Sequence, residues 1–325
     1  MNGKYYADGL AFLGHPGGSI IADSGLDLDM AHVTVAPPKP MNEESMVTIV
    51  EKSVSQIESQ PQLYIVRDTE DIGLAESLKK TAIVMGLQNS PTDGHFKELF
   101  KAGIRVFGLW YQDKNALGGG FNLPDEPITA ACQTALRELA ELDAIVDLSH
   151  AGHACARGVI RFMDKERLPL KLMASHGGCH SIYPRPRNLP DNILMDIVAR
   201  SGIVGVYTLT FGLSASDDTL VPFIRHLERM VIIAGEENVC IGSDGVYCTT
   251  DESELRSEYD RLNKLVKPDE AFEVRFPPQP LCSYSPEKMA IIEREILKCG
   301  SNKLQRNISQ IMGGNLKNFF ERSLP

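Results

Sequence analysis

Short apolar runs recur along the chain, and amphipathic stretches fill the intervals between them. Runs of strand length lie at Tyr5–Leu13, Asp29–Ala36, Leu63–Arg67, Thr81–Gln88, Ile104–Tyr111, Ala144–His150, Lys171–His176, Ile203–Thr210 and Asn238–Asp244. Apolar positions at helical spacing mark Ser45–Ser59, Thr69–Lys80, Thr129–Leu142, Cys155–Lys165, Asp191–Ser201 and Thr219–Ala234. Asp68 and Asp191 stand where N-caps belong, and Gly202 and Gly235 follow helix ends. Strands that alternate with helices imply a parallel sheet. So many units in one chain predict a single (β/α)₈ barrel of the TIM type rather than an open doubly wound sheet. The open sheet would call for a Gly-rich phosphate turn after the first strand. The stretch GHPGG (Gly14–Gly18) is not that fingerprint and reads as a turn.

The whole of 1–325 is expected to be one domain. Thr250–Ser283 is charged and then Pro-rich, which predicts an excursion over the surface. Two helices, Pro286–Lys298 and Ile308–Arg322, are expected to close the chain.

Composition narrows the function classes. A formal charge of −10 argues against nucleic acid or an anionic membrane as the main partner. Seven scattered cysteines without a CxxC predict reduced thiols and a cytoplasmic location. No signal peptide or membrane span is expected.

Chemistry in such a barrel belongs at the C-terminal ends of the strands. Two runs end alike, on Ser149-His150 and Ser175-His176. With side chains alternating along each strand, His150, His176, Asp244, Gln88 and Tyr111 are candidates to face one mouth. Asp147, of opposite parity to His150, is expected to stay out. Two neutral imidazoles and a carboxylate can hold zinc with an open position, although a strand-end histidine bonded to a loop carbonyl fits the same spacing. His15 reads as a turn residue, and His32 as a barrel residue bonded locally. His153 and His180 read as loop positions near the mouth, His95 as a helix start, and His226 as a helix-surface residue. Cys179 beside two histidines suggests a thiol nucleophile, but a loop cysteine is the simpler reading. Arg185 and Arg187, split by Pro186, suggest a rigid anion-binding pair. Gly118–Gly120 suggest a flexible loop.

The stretches IVDLSHAGH, LMASHGG, RPRNLPDNIL, ENVCIGSDG and ISQIMGGNLKNFF resemble, in that order, successive motifs of the membrane (renal) dipeptidase family. The resemblance runs from Asp8 to about Phe320. It implies an amidohydrolase-like barrel with two zinc ions that hydrolyses dipeptides, some with a D-residue at the C-terminal position, and it implies a homodimer. It makes His150 and His176 ligands of one zinc, Arg187 the residue that binds the substrate carboxylate, and Asp244 the acid/base on bridging water.

Departures stand beside these matches. The family's first ligands, in Asp-Gly-His-x-Asp, correspond to Leu10 and Phe12 in ADGLAFLG. Its bridging glutamate corresponds to Gln88, and a substrate-contacting histidine to Tyr111. Neither Leu nor Phe offers a lone pair, and a neutral amide is a poor bridge between two dications. The expectation is therefore a metallopeptidase-like hydrolase with one zinc or a degraded site. The alternative is an inactive barrel that binds a small molecule or a partner protein. A third reading is a different lyase or hydrolase reaction on the remodelled site. The expected partner is a small-molecule substrate of the dipeptide kind, with no nucleic acid and no membrane.

Overall fold

Each of the nine predicted strands forms. In chain order the strands of the computed structural model are β1 (Ala7–Phe12), β2 (Met30–Thr34), β3 (Leu63–Ile65), β4 (Thr81–Leu87), β5 (Ile104–Gly108), β6 (Lys114–Asn115), β7 (Gly118–Gly119), β8 (Ile145–Asp147), β9 (Lys171–Gly177), β10 (Ile203–Val206), β11 (Val239–Ile241) and β12 (Gly245–Val246). The structure describes residues 4–13, 26–38, 45–92, 94–247, 251–265 and 274–325. His15, Cys248 and the Gly14–Gly18 turn lie outside them.

The strand order in the main sheet is β11-β10-β9-β8-β5-β4-β2-β1-β12, with every pairing parallel. Its two ends, β11 and β12, are consecutive pieces of one chain segment, split only at Gly242–Asp244. The main sheet therefore closes on itself as a barrel. β3 pairs with the first half of β4, below β5. β6 and β7 make a small antiparallel hairpin beside the mouth.

Alternation along the strands explains the two apolar layers. Ala7, Met30, Val84, Val106, Ile145, Met173, Ile203 and Cys240 belong to one buried cluster inside the barrel. Val33, Ile83, Met85, Phe107, Val146, Leu172, Val206 and Ile241 belong to the cluster shared with the surrounding helices. Asp147 follows Ile145 by two residues, so its side chain faces inward, contrary to its expected exclusion from the site.

The helices begin where the sequence gives them caps. Asp68 accepts from Asp71 N and forms a reciprocal capping box at Thr69–Ser77. Asp191 is instead the first helical residue, after Pro190. It is held by Ser181 Oγ at 2.7 Å and by Arg229. The expected helix at 308–322 is split into a π-helical turn, Gln310–Gly314, and an α-helix, Asn315–Ser323. Leu316, Phe319 and Phe320 then seal the lower end of the barrel. The segment expected to run over the surface carries a helix, Glu252–Leu265, and then returns inward, with Gln279 fully buried.

Near the mouth the interior narrows to backbone. An added Cβ would lie 2.1 Å from Ser175 O at Gly205 and 1.8 Å from it at Gly242. Only glycine lets β9, β10 and β11 converge this closely. Gly205→Ala should lower stability by about 3 kcal/mol through overpacking against backbone. The check is a urea unfolding curve, and a midpoint equal to that of the wild type would contradict this packing.

Candidate active site at the barrel mouth

Two strand ends build the centre of the site. Just past β8 the chain turns through Leu148 and Ser149 and delivers His150; β9 delivers His176 directly. Their Nε2 atoms face each other at 3.0 Å. His176 is fully buried and His150 nearly so. Burial, with the Arg187 guanidinium close by, holds both imidazoles well below their ordinary pKa. They are neutral, the form that can accept a proton or donate a lone pair to a metal.

One buried carboxylate holds both ends. Asp147 Oδ1 accepts from Ser149 N at 3.0 Å, Ser149 Oγ at 2.6 Å and Ser175 N at 3.0 Å. Its Oδ2 accepts from Ser175 Oγ. Ser149 Oγ lies 3.1 Å from Ser175 Oγ and accepts from His176 N, also at 3.1 Å. Ser175 Oγ is 2.6 Å from His176 Nδ1. Strict alternation failed for Asp147, Ser149 and His150 because β8 ends at Asp147. The signal was in the sequence: an Asp two residues before a Ser at a strand end favours a turn closed by its own side chain.

Asp244 sits between β11 and β12 in the left-handed region, at φ 53°. Its N donates to Leu10 O at 2.9 Å, and its carbonyl accepts from Gln279 Nε2 at 3.0 Å. The side chain is 14% exposed, and Oδ1 lies 4.0 Å from His176 Nε2. Burial pushes the carboxyl up to about 7, against the pull of the Arg187 and Arg261 guanidiniums. Arg261 lies on the helix Glu252–Leu265, so this segment bears electrostatically on the mouth.

Arg187 is buried and points into the same space. It donates to Ser149 O and lies 3.3 Å from His150 Nε2. Its guanidinium carbon is 5.4 Å from the Tyr207 ring and 5.8 Å from that of Phe121. Among the described residues it has no carboxylate partner within salt-bridge distance. Arg185 turns away and bonds Tyr183 OH at 2.6 Å, so the two arginines do not form a pair. Tyr111 stacks on His150 with ring centroids 4.4 Å apart and planes 26° apart. Burial, with Asp244 near, pushes its hydroxyl up to about 12.

The structure thus brings His150, His176, Asp244, Arg187 and Tyr111 together. Leu10 and Gln88 are buried, and Phe12 packs beside Val246, Leu255 and Tyr284. Gln88 Nε2 finds no partner among the described residues. No group of three or more His, Cys, Asp or Glu side chains is arranged for a metal among the described residues.

Other expectations change. His226 is fully buried, not on a helix surface: Nδ1 accepts from Cys179 N at 2.8 Å and Nε2 donates to Leu213 O at 3.1 Å. It shares a helical stripe with Phe223, Leu227 and Met230, a pattern visible in the sequence. Cys179 is buried, and burial pushes its thiol up to about 12, which removes the nucleophile reading. Gly118–Gly120 are buried in the hairpin and in a bridge to Ala151, not a free loop. His32 is bonded locally, through Nδ1 to Gly9 O at 2.6 Å, but its Nε2 has no partner among the described residues. The six described cysteines are free. No helix of the described residues is long and apolar enough to cross a membrane.

The comparisons with known proteins agree with this architecture. The family model for membrane dipeptidases, peptidase family M19, matches residues 29–270. An uncharacterised Klebsiella pneumoniae protein from the pqqA 5' region is 30% identical over 168 residues, 47% of this chain and 60% of that protein. The dipeptidase verJ of Clonostachys rogersoniana is 26% identical over 162 residues, 49% of this chain and 40% of that protein. The chain therefore spans about half the length of these curated relatives. Among solved structures, an amidohydrolase from Pseudomonas aeruginosa superposes with a TM-score of 0.79 at 22% identity, covering 99% of this chain and 96% of that one. A metallopeptidase from Rhodobacter sphaeroides, solved with a phosphinate mimic of the dipeptide L-Ala-D-Ala, gives 0.72 at 17% identity, covering 98% and 99%. At these identities the two structures speak for the fold alone. The family match covers most of the chain, and the chain belongs to the membrane dipeptidase family.

Proposed function

We propose that this protein is a dipeptidase-type hydrolase that cleaves the amide bond of a small substrate ending in a carboxylate, at a site altered from the two-zinc arrangement. A two-ion donor set does not fit: Leu10 and Phe12 supply no lone pair, and Gln88 supplies a neutral amide where a bridging carboxylate would be needed. One ion does fit. His150 and His176 would hold it through Nε2, with Asp244 beside them, leaving positions open. Such an ion, when bound, supplies a Lewis acid and lowers the pKa of water.

The protein's own groups do the rest. Arg187, buried and without an acidic partner among the described residues, is suited to anchor the substrate carboxylate by its planar fork. Asp244, with its carboxyl near 7, is suited to take a proton from the attacking water and return it to the leaving amine. The rings of Tyr111 and Phe121 pack beside His150. The single observation that carries the reading is the convergence of two neutral imidazole Nε2 atoms, 3.0 Å apart, beside a partly open carboxyl.

A second reading has its own support. Arg187 already places a cation 3.3 Å from His150 Nε2. That favours a pocket that has lost catalysis and holds a small anion instead.

Metal content separates the two. Protein purified without chelator should carry about one zinc-like ion per chain, lost in His150→Ala/His176→Ala, and should hydrolyse dipeptides. No metal in either protein after soaking in Zn²⁺ would reject the hydrolase mechanism in favour of the anion-binding pocket. For the active protein, Arg187→Lys should raise KM for dipeptides about tenfold, with a smaller change in kcat. An unchanged KM would remove Arg187 from carboxylate binding.

The Asp244 carboxyl also predicts a pH signature in the metal-free protein. Its folded pKa is raised to about 7 from an ordinary 3.8. Its contribution to stability is therefore full below about pH 4 and is lost as pH rises through 7. His150 and His176, held low, act in the opposite sense. Unfolding free energy of wild type minus that of Asp244→Asn isolates the carboxyl, and this difference should fall between pH 4.5 and 7.5. A flat difference would contradict the raised pKa.

A further inference from the structure

Ser149-His150 follows β8 and Ser175-His176 lies near the end of β9, and the proposed chemistry uses only the histidines. The serines converge on one acceptor. Both Ser149 Oγ and Ser175 Oγ lie against the Asp147 carboxylate, which also accepts the backbone N–H of each serine. Three of these donors fall on Oδ1, and the Ser175 hydroxyl is the one on Oδ2. Each hydroxyl proton is thus committed to Asp147.

That commitment has a consequence for His176. Ser175 Oγ, its proton already donated, can only accept from Nδ1 at 2.6 Å. Nδ1 must then carry the ring proton, which leaves Nε2 a bare lone pair aimed at His150 Nε2 and the mouth. Were Ser175 instead to donate to Nδ1, its oxygen would face Asp147 Oδ2 with no proton between them, inside a fully buried cluster. Ser149 completes the fixture by accepting from His176 N, so that ring and backbone are both held.

We infer that Ser175, backed by Asp147 and Ser149, is a positioning residue that locks His176 in the tautomer with Nδ1 protonated and Nε2 free. The lock itself is independent of any metal. Its effect on ion affinity rests on the hydrolase reading above. A partner that fixes a ligand's tautomer in this way is worth about 10- to 100-fold in affinity.

The experiment is selective ¹⁵N-histidine labelling and long-range ¹H–¹⁵N correlation on the metal-free protein, with the His176 signals assigned from a His176→Gln spectrum. The expected result is the Nδ1–H form in the wild type and a mixture of tautomers in Ser175→Ala. Ser243→Ala controls for general loosening, because Ser243 Oγ makes the same kind of bond, 2.5 Å to Asp8 Oδ2, at another strand end. It should leave the His176 signals in place. A wild-type His176 protonated at Nε2 overturns the inference, and so does an equal shift in Ser175→Ala and Ser243→Ala. Zinc titration of the same samples should show affinity lower by about 10- to 100-fold in Ser175→Ala. If the wild type binds no zinc yet shows the Nδ1–H form lost in Ser175→Ala, the lock stands and the metallohydrolase reading falls. Should zinc bind equally well to wild type and Ser175→Ala while their tautomers also agree, the lock is wrong and the hydrolase reading survives.

Discussion

The site depends on one buried carboxylate. Asp147 gathers four hydrogen-bond donors from the ends of two neighbouring strands and so fixes where the chain may go next. A buried charge is costly unless it is fully hydrogen-bonded, and here it is bonded only when β8 and β9 end side by side. The fold thereby supplies the charge with partners, and the charge supplies the fold with two histidines at a defined place. His150 and His176 need no contribution of their own to find each other.

Around that centre the barrel arranges charge with little redundancy. Arg187 comes from the loop after β9, Asp244 from the break between β11 and β12, and Arg261 from the helix that follows. Arg187 acts on both imidazoles and on the Asp244 carboxyl. It adds to burial in keeping the histidines neutral, while it favours the ionised form of the acid. Burial works against it at Asp244 and prevails, which leaves a carboxyl able to gain and lose a proton near neutral pH. A ligand carboxylate on Arg187 would weaken its pull on Asp244 and raise that pKa further, so binding and proton affinity at this mouth are coupled.

Much of this was legible in the sequence, and the rest was hidden for identifiable reasons. Apolar runs and helical stripes carry the strands, the helices and the barrel, because burial on a two-residue or 3.6-residue period leaves a direct trace. The pairing of His150 with His176, and the approach of Asp244 and Arg187, followed from strand ends and family motifs. The Asp147 cluster did not follow, because parity holds only inside a strand and β8 is three residues long. Burial of His226 was readable from its stripe but was outweighed by the polarity of the residue. The return of Gln279 to the interior, where it bonds the Asp244 carbonyl, could not be read from a charged, proline-rich segment. Such a contact is set by tertiary geometry and has no local pattern.

A second carboxylate repeats the device at the first strand. Asp8 accepts from Leu10 N at 3.0 Å, Ser243 N at 2.8 Å, Ser243 Oγ at 2.5 Å and Tyr247 OH at 2.6 Å. It ties β1 to the segment that closes the barrel, as Asp147 ties β8 to β9. The Lys288 ammonium also favours its charge, yet burial still raises its pKa. Removing either partner in such a cluster leaves buried groups unpaired, so Asp8 and Ser243 are held by the fold whatever the chemistry at the mouth. The side chains of Leu10 and Phe12 carry no such duty and contribute apolar surface, while the Leu10 backbone bonds both Asp8 and Asp244.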